Sequence, residues 1–123
     1  ATPYDDWVND KEVQFLKGNG FNVVSVAGLG VRDGGKISEF NLSDAWDVAL
    51  RANVPEAEAV FVSCTNLETF GIIRELANRL EKPVLSSNLS TAWELLAIAG
   101  HSAGDSYDAV LNCLKSYPSR WSL

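Results

Sequence analysis

Apolar residues along this chain change period repeatedly, from helical spacing to short continuous runs and back. Val8, Phe15 and Leu16 fall at i, i+7 and i+8 behind Asp5 and Asp6, which predicts a helix that runs to the Gly18-Asn19-Gly20 stop. A strand is expected over 21–26. The glycine-rich stretch Gly28-Leu29-Gly30-Val31-Arg32-Asp33-Gly34-Gly35 then reads as a long loop at a strand's C-terminal end. Ser43 reads as the N-cap of a helix through Asn53, with Val48, Ala49 and Ala52 facing inward and Asp47 and Arg51 paired on the wet side, before Pro55 ends it. A strand over 59–63 is followed by a helix over 67–80 with Ile72, Leu76 and Leu80 on its stripe. A short strand over 83–86 leads into a helix capped by Ser87 and Asn88, with Leu89, Trp93 and Leu96 inward. Tyr107, Val110, Leu111 and Leu114 mark a terminal helix that stops before Pro118.

Strand and helix alternate in units of about 25 to 35 residues, which implies an α/β fold with a parallel sheet and helices on both faces, built from right-handed crossovers. In such a sheet a helix enters from a strand. The chain opens instead on Ala1-Thr2-Pro3-Tyr4, which reads as loop, so the first strand is expected to be missing and the chain to be a fragment or a processed product. A sheet without its central strand leaves unpaired backbone groups and open core, so the chain is expected to associate with a lost lobe or with a copy of itself.

Composition narrows the setting. With 123 residues and 46% apolar content the chain suffices for one domain with a real core. The net charge of -6 and the scattered basic residues argue against nucleic acid and anionic membranes as partners. No apolar run approaches the roughly 20 residues of a membrane span and no signal peptide is apparent, so a soluble, cytoplasmic protein is expected. Cys64 and Cys113 are read as free thiols, because one disulfide does not make a secreted framework.

Cys64 carries the candidate chemistry. It closes the apolar run Ala59-Val60-Phe61-Val62-Ser63 and precedes a helical pattern, so a thiol at the start of a helix would meet free N–H groups and a positive dipole end that favour thiolate and bind anions. A low-molecular-weight phosphatase would need Arg at position 70, which is Phe70, and a thioredoxin-like site would need Cys at position 67, which is Leu67. The single histidine, His101, leaves no material for a histidine-based triad or a metal cluster, and no metal site is expected. Cys113, beside the apolar stripe of the terminal helix, reads as a buried inert thiol.

Thr2-Pro3-Tyr4 with Val8-Asn9, Ser63-Cys64-Thr65-Asn66, and Lys82-Pro83-Val84-Leu85-Ser86-Ser87-Asn88 with Trp93 occur in order, with Gly20 and Gly28-Leu29-Gly30 between them. This set resembles the C-terminal half of maleate cis-trans isomerases and arylmalonate decarboxylases, within the aspartate/glutamate racemase superfamily. The likeness covers residues 1–100; the family's glycine-rich closing segment is not recognisable over 101–123, a terminal helix and tail. It implies a flavodoxin-like lobe, the second of two that enclose a cleft, and a cofactor-independent enzyme with a small dicarboxylate as substrate. Carried over by position, Cys64 is implied to be catalytic. Tyr4, Thr65 and Asn66 are implied to bind carboxylate oxygen, with Asn88 a further substrate contact. Thr2 and Arg32 lie on candidate cleft loops. In the isomerases and racemases of the family the other lobe supplies a second cysteine, so this chain alone is expected to be inactive.

The Cys-Thr-Asn form favours a maleate isomerase-like activity. An arylmalonate-type decarboxylase, in which one thiol protonates an enediolate, and an amino-acid or hydantoin racemase are the alternatives within the superfamily. A non-catalytic flavodoxin-like module that binds an anion or a partner is the alternative of another class.

Overall fold

The computed structural model describes residues 1–100; the terminal helix expected beyond them, with His101 and Cys113, lies outside the described residues. The elements run β1 (Thr2–Tyr4), α1 (Asp6–Gly18), β2 (Gly28–Val31), a 3₁₀ turn (Gly34–Glu39), α2 (Leu42–Ala52), β3 (Val60–Val62), α3 (Ile73–Leu80), β4 (Val84–Ser86) and α4 (Ser87–Ile98). Among the described residues no helix is long and apolar enough to cross a membrane.

Among the described residues the strand pairs are parallel. β1 pairs with β2 and β3 pairs with β4. The two pairs meet at Ala1, whose nitrogen donates to Phe61 O at 2.7 Å and whose carbonyl accepts from Ser63 N at 2.8 Å. The strands therefore follow one another in the order β2-β1-β3-β4. Crossovers leave β1 toward β2 through α1 and return past β1 to β3 through α2. Right-handed connections in opposite directions place α1 and α2 on opposite faces, and α1 packs on β1 and β2 while α2 packs on β1 and β3. The expected α/β class with a parallel sheet holds.

The expected absence of a first strand does not. Thr2-Pro3-Tyr4 is that strand, and it occupies a central position. A proline argues against a central strand unless it sits at an irregularity, and the register supplies one: Thr2 faces Gly28 and Tyr4 faces Val31, so β2 carries an extra residue opposite Pro3. Gly30, at φ +80°, takes the backbone conformation that this bulge requires. Gly28-Leu29-Gly30-Val31 is accordingly strand rather than loop. The strand expected over 21–26 does not form, because β1 begins opposite Gly28 and offers those residues no partner.

Helix phases also shift. Asp5 caps α1, accepting from Val8 N at 3.2 Å. The inward stripe of α1 is polar at Asn9, and Phe15 lies outward at 70% exposure. Asn41, not Ser43, caps α2 through a capping box with Asp44. α3 starts at Ile73, later than expected, since Leu67, Thr69 and Ile72 turn inward and hold the chain in irregular form before the helix can begin. Ser86 caps α4, and Leu96 is exposed.

The main core lies between β3, β4, α2 and α3. Val48, Val62, Leu67, Leu76 and Val84 are fully buried, each contributing about 1.5–3 kcal/mol. On the other face the packing around β1 is polar and close. Thr2 Oγ1 donates to Asn9 Oδ1, and Asn9 Nδ2 donates to Tyr4 O at 3.3 Å. A Cβ on Gly28 would fall inside van der Waals contact with Tyr4 O and Asn9 Nδ2. Gly28→Ala is therefore expected to destabilise the chain by about 1–3 kcal/mol in thermal unfolding. Gly18→Ala, in helical backbone with open space around it, should stabilise by about 0.5–1 kcal/mol. Equal effects of the two substitutions would contradict this packing.

Candidate active site

In a parallel sheet ligands bind beyond the carboxyl ends of the strands, at the point where the chain's winding reverses. Here that point lies between β1 and β3. Tyr4 is the last residue of β1, and Cys64 follows β3. Cys64 is 7% exposed, and the Tyr4 phenol faces its thiol. Burial raises the phenol well above its ordinary 10.0, and the hydrogen-bonding contact with Cys64 and the negative charge of Glu12 push the same way. Tyr4 is thus held as an O–H donor.

Cys64 has φ +101°, a region that side chains other than glycine rarely enter. Such a conformation costs on the order of 1–3 kcal/mol and persists only where its surroundings impose it. Ser87 Oγ accepts from Cys64 N at 3.1 Å, and Asn88 Nδ2 donates to Thr65 O at 3.0 Å. Ser63 Oγ donates to Glu12 Oε1 at 2.8 Å. After Cys64 the exposed residues Thr65 and Asn66 form a turn, and their N–H groups donate to no acceptor among the described residues. Leu67, fully buried, anchors the turn. The expected helix N-terminus beside Cys64 is replaced by this turn, so the unpaired amides belong to a loop.

Of the residues singled out from sequence, Tyr4, Cys64, Thr65, Asn66 and Asn88 gather at the ends of β1, β3 and β4. Thr2 does not reach the cleft; it is buried, with its hydroxyl given to Asn9. Arg32 sits at the end of β2, where its Nε pairs with Asp5 Oδ2 at 2.8 Å. Glu12 and Ser63 went unread in the sequence. A signal for Glu12 existed, since it stands between Val8 and Leu16 at four-residue spacing, a carboxylate in an otherwise inward stripe.

A parallel α/β lobe with a thiol and a phenol at its switch point defines the class: it is consistent with the aspartate/glutamate racemase superfamily. The chain belongs to the arylmalonate decarboxylase family, whose model matches residues 1–111. It is 29% identical over 105 residues to the arylmalonate decarboxylase of Bordetella bronchiseptica, covering 84% of this chain and 44% of that protein. A crystal structure of arylmalonate decarboxylase superposes with a TM-score of 0.74 at 28% identity, over 84% of this chain and 46% of the other. Maleate cis-trans isomerase of Nocardia farcinica, bound to TRIS, shares the fold, with a TM-score of 0.77 at 21% identity over 81% of this chain and 41% of its own. The chain thus spans less than half the length of these relatives.

Two measurements test this geometry. Cys64→Gly should unfold at higher temperature than Cys64→Ala, by the equivalent of about 1 kcal/mol, because glycine accepts φ +101° without strain. The reverse order would show that the backbone there is relaxed. Tyr4 gives the second. Its folded phenol holds the proton more tightly than the unfolded one, so its contribution to stability is intact below pH 10.0 and is lost as pH rises through the higher folded value. The difference in 295 nm absorbance between the parent and Tyr4→Phe should place Tyr4 ionisation above 10.0 in the folded chain, and a midpoint at or below that value would contradict the desolvation of its hydroxyl.

Proposed function

We propose that this chain forms the thiol-bearing wall of a cofactor-independent decarboxylase cleft that takes an aryl-substituted malonate. The observation that carries the reading is the placing of Tyr4 and Cys64 at the ends of adjacent strands, beside the unpaired amides of Thr65 and Asn66. Membership of the arylmalonate decarboxylase family supports it. In the proposed reaction the bond between the α-carbon and one carboxylate breaks and CO2 leaves. The electron pair stays behind as an enediolate. Fixed O–H and N–H donors are what such developing oxyanions need, and Tyr4, Thr65 and Asn66 are assigned to that task. The Cys64 thiol then gives its proton to the α-carbon, yielding the aryl acetate, and the thiolate recovers a proton from water. One thiol suffices for this sequence of steps.

A dicarboxylate isomerase of the maleate kind is the second reading, favoured by Cys64-Thr65-Asn66. It uses the same wall, with a second thiol supplied from across the cleft. On either reading a second wall, from another lobe or another copy, completes the site, and the isolated chain binds substrate without turning it over.

The test is protection of Cys64 from iodoacetamide, read on its peptide by mass spectrometry, together with product analysis. Phenylmalonate should slow alkylation more than maleate does. Where an opposing wall is supplied, phenylacetate should form and Cys64→Ala should abolish it. Fumarate from maleate would move the assignment to the isomerase. Failure of both dicarboxylates to protect Cys64 would reject the enzyme reading in favour of a non-catalytic module.

A further inference from the structure

We propose that Ser87 and Asn88, at the start of α4, are positioning residues that set the direction of the Cys64 thiol and of the Asn66 N–H, a role that rests on the function proposed above. The β3–β4 ladder ends with Val62 opposite Ser86. Beyond that pair the chain of β4 turns into α4, so the Cys64 amide has left the ladder, and the Ser87 hydroxyl takes its N–H at 3.1 Å. This bond fixes the plane of the Ser63–Cys64 peptide and hence the axis about which Cys64 holds φ +101°. One residue further on, Asn88 Nδ2 holds Thr65 O at 3.0 Å. A trans peptide points its C=O and N–H in opposite directions, so tying down the Thr65 carbonyl on the α4 side aims the Asn66 N–H away from α4.

Neither side chain is committed to the helix. The cap of α4 is Ser86, whose hydroxyl accepts from Leu89 N at 3.3 Å. Two consecutive residues thus act on the two ends of one dipeptide, Cys64-Thr65, at the same sequence separation of 23. Capping explains neither bond. A thiol that must meet an α-carbon and an amide that must meet an oxyanion both need their peptide planes held before substrate arrives.

The experiment uses the full 123-residue chain with Ser87→Ala, Ser87→Thr, Asn88→Ala and Asn88→Asp. Ser87→Ala is expected to speed Cys64 alkylation about tenfold, the worth of one hydrogen bond, and to lower the unfolding temperature by the few degrees that the same bond is worth. Ser87→Thr, which keeps the hydroxyl, should restore the parent rate. Asn88→Ala and Asn88→Asp, which lose the donor, should weaken protection by phenylmalonate about tenfold. Parent-like alkylation and protection in all four variants would overturn the proposal. Should Ser87→Ala lose the fold, the exposed Asn88→Asp decides by the same criterion. If phenylmalonate fails to protect even the parent chain, the decarboxylase reading falls, and the alkylation rates of the Ser87 pair still decide whether Ser87 positions the thiol.

Discussion

The two hydrogen bonds that Ala1 makes, to Phe61 of β3 and to Ser63 just beyond it, join the two strand pairs into one sheet. β1 brings α1 and β2 with it, while β3 brings β4 and α3, and the strands of the two groups meet at that residue. The proposed chemistry lies at the same seam. Tyr4 comes from one side and Cys64 from the other, so their contact exists only because β1 lies against β3 in this register. Polar packing behind β1 keeps that register. Thr2 and Asn9 bond to each other, Asn9 takes the Tyr4 carbonyl, and Gly28 lets β2 come close enough for both.

The α/β alternation was legible because α2 and α3 bury an ordinary apolar stripe, because α1 and α4 are marked by their capping and stop residues, and because the runs around Val60–Val62 and Val84–Ser86 are strand-like and short. The sequence misled where glycine and proline serve a strand. Gly28 and Gly30 look like loop residues, yet one is there because β1 and Asn9 crowd it and the other because β2 bulges. Pro3 reads as a strand breaker, and the bulge opposite it removes the conflict. The converse failure is the segment over 21–26, whose strand-like composition meets no neighbour.

The site was legible in its members and less so in its mechanics. Cys64, Tyr4, Thr65 and Asn66 were marked by motif and by position at strand ends, and the fold brings them to one end of the sheet. What no local pattern announces is the set of bonds that arrange them. Ser87 to Cys64, Asn88 to Thr65 and Ser63 to Glu12 join residues 23 to 51 positions apart. The positive φ of Cys64 is of the same kind: a torsion imposed by tertiary contacts on a residue that would not choose it.

Leu67 gives the segment after Cys64 a different character from a lid. Its side chain is fully buried, with Thr69 and Ile72 buried behind it, so the amides that precede it are carried on an anchored arch rather than a swinging flap. The substrate anion of the proposed reaction would meet such an arch with no ordering step to wait for, and would lose no fraction of its affinity to selecting a rare conformer. On that proposal, discrimination among ligands would fall to fixed shape and spacing at the strand ends, in the manner of a mould.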